Sequence, residues 1–556
     1  MKRSAFRIAG IGLVAVLGLL ATGCGPGGGG KKAGSDDGVT KNRITATIPG
    51  TPVDGDWVVS RLPLEMAHLN PLVSNDAYGR AIYTLIYESL LERDNATLQL
   101  GPGLAESHEI SPDHLTYTFK LRDGIKFSDG APLTAEDVKF SFDKLMDPAV
   151  DAADLRNYFL TVDRCEVVDP LTVRFVCKEP YFKMLITLGE DLKIVPKHIF
   201  ETGDFNTHPN NRKPIGSGPY VMDSWDTNRQ IVLSRNENYW GKKPHILKRV
   251  YKIITDDNAA LQVLERGDLD TMGLTAEQWD RRAKRPEFEA QFDKLAYYTP
   301  FHSYIGWNTR QPQLSDKRVR RALTMLLNRE LILDKIFYGM GVVVSNSFFI
   351  ESNEYNKDLK PLPFSPADAK RLLDDAGWKD TNGDGVRDKD GIPLRFEFLL
   401  VANSPDAEQL ATVFQEELKK AGIEMSIRPL EWATFIDSIQ KRKFDACMLG
   451  WQLDPEQDPY QIWHSSQSDE GSNYPGFKNA EADKIIEDAR REFDPAKRAE
   501  MYHRLSVIID EEQPYTFLFC TKARAAIDKR FRNVQAYPLG LDAREWWVPA
   551  ELQKRK

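Results

Sequence analysis

Two short constellations carry residue types that could do chemistry. Ser141-Phe142-Asp143-Lys144 sets a lysine three residues after a serine, the SxxK spacing in which an amine activates a hydroxyl for acylation. The companion motifs SDN and KTG are absent, and Ser141 falls mid-helix between core-facing positions, so these residues read as structural. Asp380, Asn382 and Asp384, with Gly385 after them, occupy positions 1, 3, 5 and 6 of a calcium loop. Position 12 is Gly391, where a bidentate Glu is needed; the same residues also build ordinary turns, so a turn and a weak cation site both stay open. No GxSxG, HExxH or phosphate-binding GxxxxGK[ST] occurs, and His108-Glu109 lacks the second zinc histidine. The expectation is a protein that is no enzyme and carries neither cofactor nor metal.

The five cysteines divide by setting. Lys2, Arg3 and Arg7 precede an apolar run from Ile8 to Gly23, 16 residues against the roughly 20 that a spanning helix needs, so the segment reads as an export signal. It ends in Leu20-Ala21-Thr22-Gly23-Cys24, which resembles the bacterial lipobox, although Ala21 stands where Leu is commoner. That resemblance implies cleavage before Cys24 and lipid on its sulfur; an ordinary signal peptide cut nearby is the alternative. The Gly-rich residues 24–43 read as a flexible tether. Export permits disulfides. Cys165 and Cys177 flank Asp169-Pro170-Leu171-Thr172 symmetrically within an alternating CEVVDPLTVRFVC hairpin, which makes them a disulfide candidate, with Cys447–Cys520 a second option.

Composition narrows the partners. At 556 residues, 41% hydrophobic and 28% charged, the chain is globular and long enough for two to four units. The formal charge of −8 becomes −11 once Lys2, Arg3 and Arg7 are removed with the leader. An acidic surface without a basic block argues against nucleic acid and against peripheral binding to anionic lipid.

Several elements must position whatever acts. LTYTFKL at 115–121 alternates as a strand, and Thr134-Ala135-Glu136-Asp137 forms a capping box for a helix with Val138, Phe142 and Leu145 on one face. One amphipathic helix is expected over 315–338, and another begins at Ser365-Pro366 and stops at Gly377. Residues 392–450 read as strand, helix, strand, helix, strand, the βαβ pattern of a parallel sheet. Such sheets bind ligands beyond the carboxyl ends of their strands, and the third strand runs into Trp451-Gln452-Leu453-Asp454-Pro455. An aromatic and a carboxylate thus sit where the architecture places a ligand.

Six segments in order resemble the large extracellular solute-binding proteins of peptide ABC transporters, family 5. They are LTYTFKLRDGIKFSDGAPLTAEDVKFSFDKL at 115–145, PIGSGPYVMDSW at 214–225, residues 235–270, 305–332, 365–394, and FDACMLGWQLDPEQDP at 444–459. The resemblance implies an α/β, two-lobed, hinged periplasmic-binding-protein-like fold with an additional subdomain. Lobe I would take 44–75, 190–305 and 520–556, the subdomain 76–189, and lobe II 306–519, behind a signal over 1–23. It further implies a lipid-anchored monomer on the extracytoplasmic face that captures oligopeptides between its lobes and delivers them to a permease driven by ATPase subunits. In peptide-binding members an Asp of the GWxxD segment pairs with the peptide α-ammonium and its Trp lines a pocket; here these are Asp454 and Trp451. Trp432, Asn473 and Tyr474 are further lining candidates, Asp458 is structural, and the 380–391 turn is a common family feature. The alternatives are a non-peptide cargo such as an oligosaccharide or metal chelate, or a surface or folding-helper role on the same scaffold.

Overall fold

The computed structural model describes residues 51–74, 77–469 and 471–555. Cys24, the expected leader and the expected tether lie outside them. The largest sheet has eight strands, in the order Phe292–Tyr298, Phe519–Asp528, Thr271–Gly273, Trp57–Leu62, Lys248–Ile253, Gln230–Arg235 and Tyr220–Asp226, with Gly341–Val343 added on Phe519–Asp528. A five-stranded sheet runs Glu424–Leu430, Arg395–Val401, Ala446–Gln452, Phe301–Trp307, Tyr515–Phe517. Its first three strands are parallel and joined by the helices Pro405–Lys420 and Trp432–Gln440, as the alternation of strand and helix patterns requires.

Two strands connect these sheets directly. Phe292–Tyr298 leaves the large sheet and, after Thr299 and Pro300 alone, continues as Phe301–Trp307 in the small one. Tyr515–Phe517 returns through Leu518 to Phe519–Asp528. Short crossings of this kind tie two lobes while leaving few backbone bonds to bend between them. The sheet pairing puts the first crossing ahead of Phe301–Trp307, a strand hydrogen-bonded along its length to Ala446–Gln452.

The subdomain is built on a four-stranded antiparallel sheet, Ala105–Ile110, Thr116–Leu121, Thr172–Cys177, Val162–Asp169 in spatial order, packed by the helix Ala135–Met146. Thr134 caps that helix, its backbone N–H donating to Asp137 Oδ2 at 2.9 Å, and Val138, Phe142 and Leu145 are buried. Ser141 Oγ donates to the Asp137 carbonyl at 2.8 Å and accepts from Val195 N at 2.9 Å, so the SxxK serine is a core fastener.

Three expectations need correction. Cys165 and Cys177 are both free and buried. Irregularities at Val167/Asp169 and Val162/Arg164 displace the hairpin register, setting Cys165 opposite Phe175 and Cys177 opposite Val162. A bulge therefore defeats the symmetry about the turn. Cys447 and Cys520 are likewise free and buried. The helix expected over 315–338 is two helices, Lys317–Met325 and Arg329–Lys335, because Asn328 caps the second by accepting from Leu331 N at 3.1 Å. The turn at 380–391 is made by backbone capture: Asp380 accepts from Gly383 N and Gly385 N at 2.7 and 3.0 Å, and both glycines take positive φ.

Candidate functional site

The central strand Ala446–Gln452 is covered on both faces by apolar side chains, so all of its residues except the partly buried Met448 and Gln452 are buried. Trp451 is 3% exposed, donates Nε1–H to Tyr515 Oη at 3.2 Å, and lies beside the Tyr304 and Tyr474 rings. It packs the lobe rather than lining a cleft. Asn473 is a second correction: its side chain donates to Phe477 O and His464 O and accepts from Phe477 N, closing its own loop with nothing left over. Tyr474 is buried with Trp451. Trp432 is exposed, but it follows the edge strand Glu424–Leu430, two strand spacings or about 10 Å from the strand that leads to Asp454.

Asp454 is different because it lies two residues past the strand end. Leu453 N and Gln452 Nε2 both donate to Pro300 O at 2.8 Å, which fixes this exit beside the first crossing between lobes. Lys183, from the subdomain side, donates from Nζ to Asp454 Oδ2 at 2.8 Å. The same junction is held by Tyr181 donating to Asp458 Oδ2 at 2.9 Å and by Phe182 N donating to Arg490 O at 3.0 Å. Arg490 pairs with Asp458 at 3.0 Å and covers the Tyr181 ring, while Arg498 covers Phe182. Asp458 is thus a fastener between the halves.

Lys183 is nearly sealed, with 4% of its side chain accessible, whereas Asp454 keeps 59%. Asp454 lies in the field of Lys183, Arg80 and Arg93. Burial pushes the Asp454 carboxyl up, but Lys183 more than offsets this and holds it below the usual carboxylate range. Nearby Asp191 lacks so close a cation, and burial pushes it up to about 6 despite the field of Lys183. Burial opposes the charge on Lys183, and the carboxylates of Asp454 and Asp191 restore it and raise its pKa. Tyr158 completes this wall, its ring 6.0 Å from Lys183 Nζ.

The result is a charged junction whose exposed acceptor is Asp454. Oδ2 is held by Lys183, and Oδ1 has no hydrogen-bond partner among the described residues. The structure sets Asp454 beside Lys183, with Asp191 and Tyr158 around that lysine, and of these sequence reasoning named only Asp454. One signal was present for Lys183: a lone lysine in the apolar run Tyr181–Leu188 must be paired if it is buried.

A two-lobed α/β molecule with paired strand crossings and a charged pair at the sheet's carboxyl edge defines the class of hinged solute receptors. The chain belongs to the bacterial extracellular solute-binding proteins, family 5, whose model matches residues 99–473. It is 33% identical over 510 residues to the oligopeptide-binding protein AppA of Bacillus subtilis, covering 89% of this chain and 92% of that one. The solved structure of that protein with a nonapeptide superposes with a TM-score of 0.78 at 31% identity, over 90% of this chain and all of the other. NikZ from Campylobacter jejuni, solved with Ni(L-His), superposes with a TM-score of 0.77 at 26% identity over 88% of this chain and 99% of its own.

Proposed function

We propose that this protein is the capture subunit of an ABC importer: it closes on an oligopeptide between its lobes and delivers it to a membrane permease powered by ATPase subunits. The observation that carries the reading is Asp454, a largely accessible carboxylate at the carboxyl end of the five-stranded sheet, with Oδ1 free of any partner among the described residues. An ammonium leaving water needs a fixed anion, so Oδ1 selects for a free N-terminus. Lys183 orients the carboxylate from the opposite side, and peptide main chain would be held by β-type hydrogen bonds with loose pockets for side chains. The likeness to a receptor solved with a nonapeptide supports the same cargo class. Lipid on Cys24 would anchor the receptor at the extracytoplasmic face. Native mass spectrometry of protein purified without denaturation tests this. A co-purifying mixture of masses that fragment as short peptides is expected; one homogeneous non-peptide mass, such as a metal chelate, would overturn the peptide reading.

A further inference from the structure

A cavity of about 910 Å³ lies in the half of the molecule that holds the large sheet and the subdomain. Its walls come from the hairpin 92–102, the loop 239–245 and the C-terminal segment 532–547, and no residue of 301–517 lines it. The carboxylates on these walls are all engaged. Glu92 pairs with Arg544 at 2.6 Å, and Asp542 holds Arg544 at 2.7 Å and Asn95 Nδ2 at 2.8 Å. Asp94 accepts from Thr97 N and Oγ1 at 2.7 and 2.8 Å, and Glu545 accepts from the Tyr537 hydroxyl. The cations are matched less evenly. Arg93 pairs with Glu190 at 2.6 Å, His245 with Asp54 at 2.8 Å and Lys243 with Glu237 at 3.6 Å. Lys242 and Arg532 line the same cavity with no ion-pair partner among the described residues. Arg532 is the sharper case because it is only 9% exposed. Its Nη1 donates to the Lys529 and Phe531 carbonyls at 2.6 and 3.1 Å, while Nε and Nη2 have no acceptor among the described residues.

A guanidinium keeps its charge under all ordinary conditions, and burying it without an anion is costly. Two residues earlier, Arg530 meets that cost with three carboxylates. Arg532 cannot do the same, since every carboxylate on the cavity wall is already held by another group. What this cavity lacks is a negatively charged acceptor. Pro52, Leu100, Pro102 and Trp547 add apolar wall against which an organic body could pack. We infer that the cavity is a second ligand site, beyond the peptide reading and independent of it, that binds a phosphate dianion between Arg532 and Lys242. Two unpaired cations on one cavity match two negative charges better than one, and the N–H edge of a guanidinium suits phosphate oxygens. The phosphate could arrive as the inorganic ion or as a small phosphate ester.

Isothermal titration of the whole protein with inorganic phosphate, glycerol 3-phosphate and acetate, each in the presence and absence of trialanine, tests the site. Wild type should bind phosphate about tenfold or more tighter than acetate, with or without trialanine. Glycerol 3-phosphate binding tighter than inorganic phosphate would support the site and assign it to an ester; the reverse order would support it and assign the free ion. Lys242→Gln changes an exposed lysine without an ion pair, so it should keep the wild-type melting temperature and weaken phosphate about tenfold. Arg532→Lys keeps the charge but loses the fork, and should weaken phosphate at least as far. Lys242→Gln remains decisive if Arg532→Lys lowers the melting temperature. No saturable binding of either phosphate, or unchanged phosphate affinity in Lys242→Gln, would overturn the site. Acetate binding as tightly as phosphate would overturn the dianion assignment. Displacement of phosphate by trialanine would place the anion in the peptide cleft and overturn the second site while sparing the peptide reading.

Discussion

Two charge clusters in this molecule have the same ingredients and opposite designs. In lobe I, Arg530 meets Asp56, Asp270 and Asp528 at 3.0, 2.6 and 3.0 Å, and none of the four side chains is more than 7% accessible. Every remaining oxygen is used: Asp270 Oδ2 accepts from Val59 N and Arg555, Asp56 from Trp57 N and Lys554 N, and Asp528 from Arg530 N and Lys554 Nζ. At the junction of the subdomain with the five-stranded sheet, Lys183 and Asp454 form one bond, and the other carboxylate oxygen has no partner among the described residues. A closed network holds strands together; an open one leaves an acceptor accessible, as the proposed ammonium site requires. Burial alone does not distinguish them, and completeness of pairing does.

The comparison breaks hardest in the closed cluster. Arg530→Met leaves three buried carboxylates without their shared cation and should destabilise the protein by about 3–5 kcal/mol in urea unfolding, with ligand affinity of the folded fraction unchanged. A stability loss within error would show that the cluster is not the fastener its pairing suggests.

Next is the open pair. Asp454→Asn should weaken binding of free-amine peptides by about 2–5 kcal/mol in calorimetry. It also strands Lys183, so the double variant Lys183→Met/Asp454→Asn should regain the stability lost by the single variant without regaining affinity. Recovery of affinity in the double variant would move the ammonium site elsewhere.

A third test sharpens the contrast with a buried group that has no partner at all. His302, 1% exposed on the strand opposite Trp451, has both ring nitrogens unbonded among the described residues, and burial pushes it down to about 3 from an ordinary 6.5. A base whose folded pKa is depressed binds its proton more readily when unfolded. Stability is then intact above pH 6.5 and lost as pH falls toward 3. At pH 5 this amounts to roughly 2 kcal/mol. His302→Phe, packed against Tyr304 and Phe517, should flatten the fall in unfolding free energy between pH 7.5 and 5. An unchanged slope would place the acid sensitivity in other groups.

Much of the frame was legible in the residues. The βαβαβ pattern over 392–450 reads directly as three parallel strands, because helix and strand periods differ and each must turn an apolar face inward. The position of Asp454 was legible for a related reason: the third strand's apolar run ends just before it, which sets the carboxylate past the strand's carboxyl end. Trp451, three residues earlier, was misread as lining, since nothing local says that the strand is covered on both sides. Asn473 was misread because an amide suited to a ligand is equally suited to closing a loop.

By itself the sequence determined the element types, the family segments and the acidic, largely globular character, all of which rest on composition and short-range periodicity. Only tertiary structure decided that a bulge parts Cys165 from Cys177 and that Lys183 reaches Asp454 across 271 positions of chain. The physical reason is one of range. Propensity and hydrophobic pattern act over a few residues, whereas the pairing of charges depends on which distant segments the packed lobes bring within about 3 Å of one another.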